Sequence, residues 1–129
     1  MELKVLKDFR NLEAWQKAFS LAANIYTETA QLPASEAYGM ASQLRRCAVS
    51  VASNIAEGSN HRTTKEFVKY LFIARGWLAE METQILLSGE IGLIANIGEH
   101  LAAINEVGRL LNGLIRSLPK KTEAGMART

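Results

Sequence analysis

Between Phe67 and Ile85 one set of apolar residues, Phe67, Leu71, Ala74, Leu78, Met81 and Ile85, falls in alternating steps of four and three without a miss. Only an α-helix gathers residues so spaced onto one side. A seam of that length has to be buried against helices lying nearly parallel or antiparallel to it. Its start is marked by Thr63-Thr64-Lys65-Glu66, a capping box in which the Thr63 hydroxyl and the Glu66 carboxylate satisfy each other's orphan backbone amides. Ser88-Gly89 is the expected stop.

Three further stretches carry the same period, and no stretch alternates strictly as a strand would. In the first, expected over Asn11 to Gln31, Leu12, Trp15, Phe19, Ala22 and Tyr26 form the seam with Ile25 beside it. Leu32-Pro33 ends that helix, because proline disfavours helical geometry in the residue before it. The second is expected over Glu36 to Glu57, with Ser35 as N-cap, Met40, Leu44, Cys47 or Ala48, Val51 and Ile55 as seam, and Gly58 as stop. The fourth opens at Asn96, with Glu99 three residues on, carries Ile97, Leu101, Ile104, Leu111, Ile115 and Leu118 on one stripe, and ends at Pro119.

The fold class is therefore all-α, and the short connections favour an antiparallel up-down four-helix bundle over residues 1–118 with a flexible tail at 119–129. A chain of 129 residues with 48% hydrophobic content suits one such core and leaves too little for two. The opening MELKVLKDFR has no apolar signal core, and apolar runs are interrupted before they reach spanning length, so a cytoplasmic location is expected.

More apolar surface is present than one bundle needs. Ala41, Val49, Ala52 and Ala56 form a second stripe beside the main seam of the second helix. Tyr70, Ile73 and Trp77 lie off the seam of the third, next to Gly76, where a missing side chain lets another helix come close. These seven residues are the expected oligomer interface. The net charge is only +2, but between Arg45 and Arg75 six cations, Arg45, Arg46, Arg62, Lys65, Lys69 and Arg75, stand against Glu57 and Glu66, a local balance of +4. That basic middle is the candidate nucleic-acid surface.

Catalytic and metal chemistry find little support. His61 and His100 have no carboxylate at a metal-motif spacing, no glutamate carries a histidine three residues on, and neither histidine follows an arginine by the four to six residues of RNA-cleaving bundles. Glu57 and His61 would meet only if the second helix ran a turn beyond Gly58. Cys47, the only cysteine, sits on an apolar seam and reads as a core residue, with no intrachain disulfide available to it. Arg46, Ser50, Ser53 and Glu57 form a polar stripe facing solvent or a partner, and Asn54 at the seam's edge reads as a buried amide fixing helix register. No enzyme, cofactor or metal is expected.

The segment from Gln43 to Leu87 resembles the 23S rRNA intervening-sequence protein family. The resemblance rests on Gln43-Leu44-Arg45-Arg46, on Ser50 to Gly58 (SVASNIAEG), on Glu66-Phe67 and on Ala74 to Glu80 (ARGWLAE). Upstream, Trp15, Leu32-Pro33, Glu36 and Tyr38-Gly39 fit its first helix and turn, which extends the match over roughly Phe9 to Leu118. Ala52 stands where members commonly have proline, Leu32 replaces a usual phenylalanine, and Trp77 replaces a small residue. The resemblance implies a left-handed four-helix bundle, five copies in a ring, and a role in RNA inferred from gene location inside ribosomal RNA insertions. A related branch, the accessory protein of diversity-generating retroelements, implies the alternative of an adaptor for a reverse transcriptase.

Overall fold

The computed structural model describes residues 8–119. Among them there are four α-helices and no strand: α1 Glu13–Thr29, α2 Met40–Ser59, α3 Thr64–Glu90 and α4 Gly98–Ser117, packed as a helix bundle. The tail expected from Lys120 to Thr129 lies outside the described residues.

Each boundary has a local cause. A 3-10 turn, Phe9–Asn11, leads into α1. Asp8 organises that turn by accepting from the Arg10 backbone amide at 3.0 Å and from its guanidinium at 3.0 and 2.9 Å. These bonds to Arg10 hold the Asp8 carboxyl below the usual carboxylate range. The α2 start differs from the expectation at Ser35. Ala34–Glu36 forms a separate 3-10 turn, and Glu36 Oε1 accepts from the Met40 amide at 3.2 Å to open the helix four residues later.

Gly58 is not a stop. α2 continues to Ser59, and a Cβ at position 58 would lie 2.7 Å from the Tyr70 Cβ and 3.2 Å from the Phe67 carbonyl oxygen. The glycine is what lets α2 and α3 approach at this crossing. In α3 the Thr63 hydroxyl accepts from the Glu66 amide at 3.1 Å, the N-cap half of the expected box. The helix passes Ser88-Gly89 and ends at Glu90. There Gly92, at φ 75°, takes the left-handed turn, and the amides of Leu93 and Ile94 both return to the Ser88 carbonyl at 2.8 and 3.2 Å. α4 starts at Gly98, two residues after Asn96, with no side chain capping it.

The core is drawn from all four helices. Leu71, Ala74, Leu78, Met81 and Ile85 of α3 are all buried, as are Leu44, Cys47, Ala48, Val51 and Ile55 of α2. Those two seams meet the expectation, with Phe67 packed at the margin. α4 buries Ile104, Val107 and Leu111 most deeply, Val107 being outside the expected stripe.

α1 reverses it in part. The inward face is Ala14, Ala18, Leu21, Ala22, Ile25 and Thr29, whereas Phe19 is 57% exposed and Tyr26 is exposed beside it. Trp15 is half-buried and stacks on Phe19 with ring centroids 4.9 Å apart. Of the expected seam, Ala22 is buried and Leu12 and Trp15 pack at the core's margin, while Phe19 and Tyr26 are turned away from it.

Polar contacts fix which positions lie level with one another. Between α2 and α3, Gln84 Nε2 donates to Gln43 Oε1 at 3.3 Å, Arg46 lies 5.7 Å over the Trp77 ring, and Gly58 abuts Tyr70. Between α1 and α2, Arg45 Nε donates to Thr29 Oγ1 at 2.8 Å. α4 meets α1 through His100 and Glu28 at 3.1 Å and through Lys17 and Glu106 at 3.8 Å. Arg75 of α3 donates to Asn112 of α4 at 2.9 Å.

Candidate functional site

The six cations of the basic middle do not form one patch. Arg45 faces α1, where its guanidinium bonds Thr29 and sits 4.7 Å over the Tyr26 ring. Arg46, one residue on and so about 100° around the helix, lies instead over Trp77 on the α3 side. Arg75 points to α4, donating to Asn112 while resting 4.6 Å over Phe72. Each of these three guanidiniums is seated on its own subunit.

Arg62, Lys65 and Lys69 have no such seat, although Arg46 and Arg75 are exposed and free of ion pairs among the described residues as well. All three are exposed, they cluster at the α2–α3 turn and the first turns of α3, and none is held by a carboxylate among the described residues. The backbone amides at the start of a helix add a partial positive charge at the same place. Beside them a cavity of about 420 Å³ is lined by Arg62, Thr63, Thr64, Ser59 and His61 on one side and by Asp8 and Asn11 on the other. His61 stacks on Tyr70 with centroids 4.9 Å apart and stands 3.8 Å from Glu57. α2 ends one residue past Gly58, and the turn that follows, in which the His61 amide donates to the Gly58 carbonyl at 3.1 Å, brings that pair together.

The expected interface residues also divide. Ala41 and Ala52 are buried in the subunit, Ala52 at the floor of a groove, while Val49 (43% exposed) and the edge of Ala56 bring that stripe to the surface. Ile73 is exposed, while Tyr70 and Trp77 are half-buried between α2 and α3. Gly76 has nothing within 4 Å of where a Cβ would stand, so it is open on the outer side of α3.

Two surface features extend these stripes beyond the expected residues. One is a groove of about 420 Å³ between α1 and α2, walled by Trp15, Phe19 and Tyr26 and floored by Ala52 and Ala56, with Val49 on its rim. The other is a ridge on the outer side of α3, where Phe72, Ile73, Leu86 and Leu87 are exposed. The signal for the ridge was present: Lys65, Lys69, Phe72, Gly76, Ala79, Thr83 and Leu86 repeat the four-three step of the buried seam, displaced to the opposite face. The groove had a weaker signal, since the aromatic stripe of α1 was assigned inward.

The remaining reactive groups are occupied. Cys47 is buried, and burial pushes its thiol above the ordinary value, with Glu80 adding to the shift and Gln84 and Arg46 opposing it. Asn54 donates to the Ser50 carbonyl of its own helix at 2.8 Å, so it braces α2 internally and does not set register between helices. Among the described residues no group of three histidine, cysteine or acidic side chains is placed to hold a metal ion, and no helix is long and apolar enough to cross a membrane. The arrangement offers cationic and apolar contact surfaces.

The chain matches no curated protein. A family description for the 23S rRNA-intervening sequence protein matches residues 10–113, which spans α1 through most of α4 and includes both the basic turn and the α1–α2 groove. The helical bundle and this match together place the chain in the 23S rRNA-intervening sequence protein family.

Proposed function

We propose that this chain is a non-enzymatic, homo-oligomeric bundle that binds RNA or other nucleic acid through the basic α2–α3 turn. One observation carries the reading: Arg62, Lys65 and Lys69 are exposed together at the start of α3 without a carboxylate partner, whereas Arg45, Arg46 and Arg75 are seated on rings and polar groups of the subunit. Repetition of the turn in an assembly brings several copies against successive phosphates, and the five copies implied by the family resemblance would multiply the charge accordingly. The level contacts, in which rising numbers on one helix meet falling numbers on the next, support an antiparallel up-down bundle, and the left-handed twist goes with it. A cytoplasmic location suits a ribosomal RNA partner.

The test is RNA retention as a function of salt. Binding driven by phosphate neutralisation falls steeply as salt rises, because condensed counterions are released. Replacing Arg62, Lys65 and Lys69 together with Ala should weaken retention alike across unrelated RNAs and flatten the salt slope while leaving the assembly's mass unchanged. No retention by the unmodified protein at about 50 mM salt, where such binding is strong, removes the nucleic-acid reading. The second reading, a protein adaptor such as an accessory subunit of a reverse transcriptase, is favoured by the apolar α1–α2 groove and then takes its place.

A further inference from the structure

We infer that the cavity beside the basic turn receives one unpaired nucleotide of a bound RNA, its base seated inside, so that the site favours single-stranded or looped RNA over a continuous duplex. The inference rests on the RNA reading proposed above and names the kind of RNA. Three parts of one subunit close the cavity: Asn11 and Leu12 come from the turn before α1, Thr64 and Phe67 from the start of α3, and Leu118 from the residue that follows α4. Leu12, Phe67 and Leu118 are each half-buried and packed against the core, which makes them a fixed apolar wall. The volume of about 420 Å³ lies within the roughly 300–1,000 Å³ of small-molecule pockets.

Phosphates alone gain nothing from such a wall. A nucleobase does, because it has two apolar faces and a hydrogen-bonding edge, and unstacked bases are the part of RNA that proteins seat against aromatic side chains. The polar groups suit that edge. Asn11 is exposed, and its side-chain amide, which both donates and accepts, makes no hydrogen bond among the described residues; the Thr64 hydroxyl across the cavity is likewise free. Asp8, the acid on the lining, is already met, since its two oxygens accept from the Arg10 amide and guanidinium at 3.0, 3.0 and 2.9 Å. It therefore does not repel a phosphate as a free carboxylate would. Arg62 stands exposed on the same lining without a carboxylate partner among the described residues, and Lys65 and Lys69 follow it on α3, one turn apart. A base in the cavity thus has cations for its flanking phosphates. In a continuous duplex the same base is paired and stacked, and it reaches the cavity only by giving up both.

The experiment is fluorescence anisotropy on the full chain at about 50 mM salt, where phosphate contacts are strong. The probe is a short labelled RNA of mixed sequence, used as the single strand and again annealed to its complement. Asn11→Trp fills the cavity from its exposed rim, so the variant should keep the parent's helical circular dichroism. Its affinity for the single strand should fall about tenfold, within what one base against an aromatic wall contributes. Its affinity for the duplex, held by phosphate contacts alone, should stay unchanged with the same salt slope. Replacing Arg62, Lys65 and Lys69 together with Ala should by contrast weaken both forms. An equal loss for the two forms in Asn11→Trp, or no loss for the single strand, overturns the assignment of the cavity; Thr64→Phe fills it from the opposite wall and repeats the measurement if Asn11→Trp loses its helicity. An unmodified protein that binds neither form removes the RNA reading as a whole, which separates that failure from a wrong choice of cavity.

Discussion

α1 and α3 solve the same packing problem with opposite materials. α3 turns Leu71, Leu78, Met81 and Ile85 inward, and α1 turns Ala14 and Ala18 inward with Leu21 and Ile25, leaving Phe19 and Tyr26 outside. Small inward residues let a helix lie close to its neighbours, so an alanine-lined face fills the same core with less side chain. The consequence is that α1 carries Phe19 and Tyr26 on its surface, where with Trp15 they wall a groove, while the ordinary core helix α3 supplies the ridge from its other side. A face assigned by the size of its residues is correct for α3 and fails at Phe19 and Tyr26 in α1.

The sharpest way to break this comparison is to truncate the two helices alike. Leu71 is fully buried, so Leu71→Ala should cost about 2–5 kcal/mol through lost burial and a residual cavity. Phe19→Ala removes a larger side chain, yet Phe19 is 57% exposed and its chief partner is the stacked Trp15 ring, so the loss should stay below about 1.5 kcal/mol. Urea melts of the two variants decide it. Equal losses would place Phe19 in the core after all. Between these lies the converse experiment: Ala18 is 1% exposed, and Ala18→Leu should cost about 1–3 kcal/mol because the close approach of α1 leaves no room for the added carbons. If Ala18→Leu were neutral, the alanine face would be loosely packed and the account of α1 above would fail.

These same residues show what was legible in the sequence. The α3 seam could be read directly because one stripe was both large and unbroken, and the Thr63 cap fixed its start. In α1 the period was equally clear, but two adjacent stripes shared it, and periodicity gives the stripes without saying which one faces in. Gly58 and Gly89 read locally as stops; what they do depends on where Tyr70 and Ile97 come to lie, which is tertiary information. The basic middle was legible as composition only. Arg45, Arg46 and Arg75 are near one another in the chain, yet the turn of the helix sends them to α1, α3 and α4 respectively. The Arg62, Lys65 and Lys69 cluster survives because a turn and the first two turns of one helix cannot disperse it.

The smallest expected effect is the most informative about that cluster. Lys69 is exposed on the outer side of α3, four residues from Lys65, and takes part in no ion pair among the described residues. Its ammonium therefore stays hydrated in the folded chain, and two like charges at that spacing repel weakly. Lys69→Ala should accordingly change stability by less than about 0.5 kcal/mol, while it lowers RNA retention at low salt by removing one phosphate contact per copy. A loss of stability comparable to that of Leu71→Ala would mean that the outer face of α3 is packed within the subunit. The ridge would then be core, and the basic turn could not use that side of the helix.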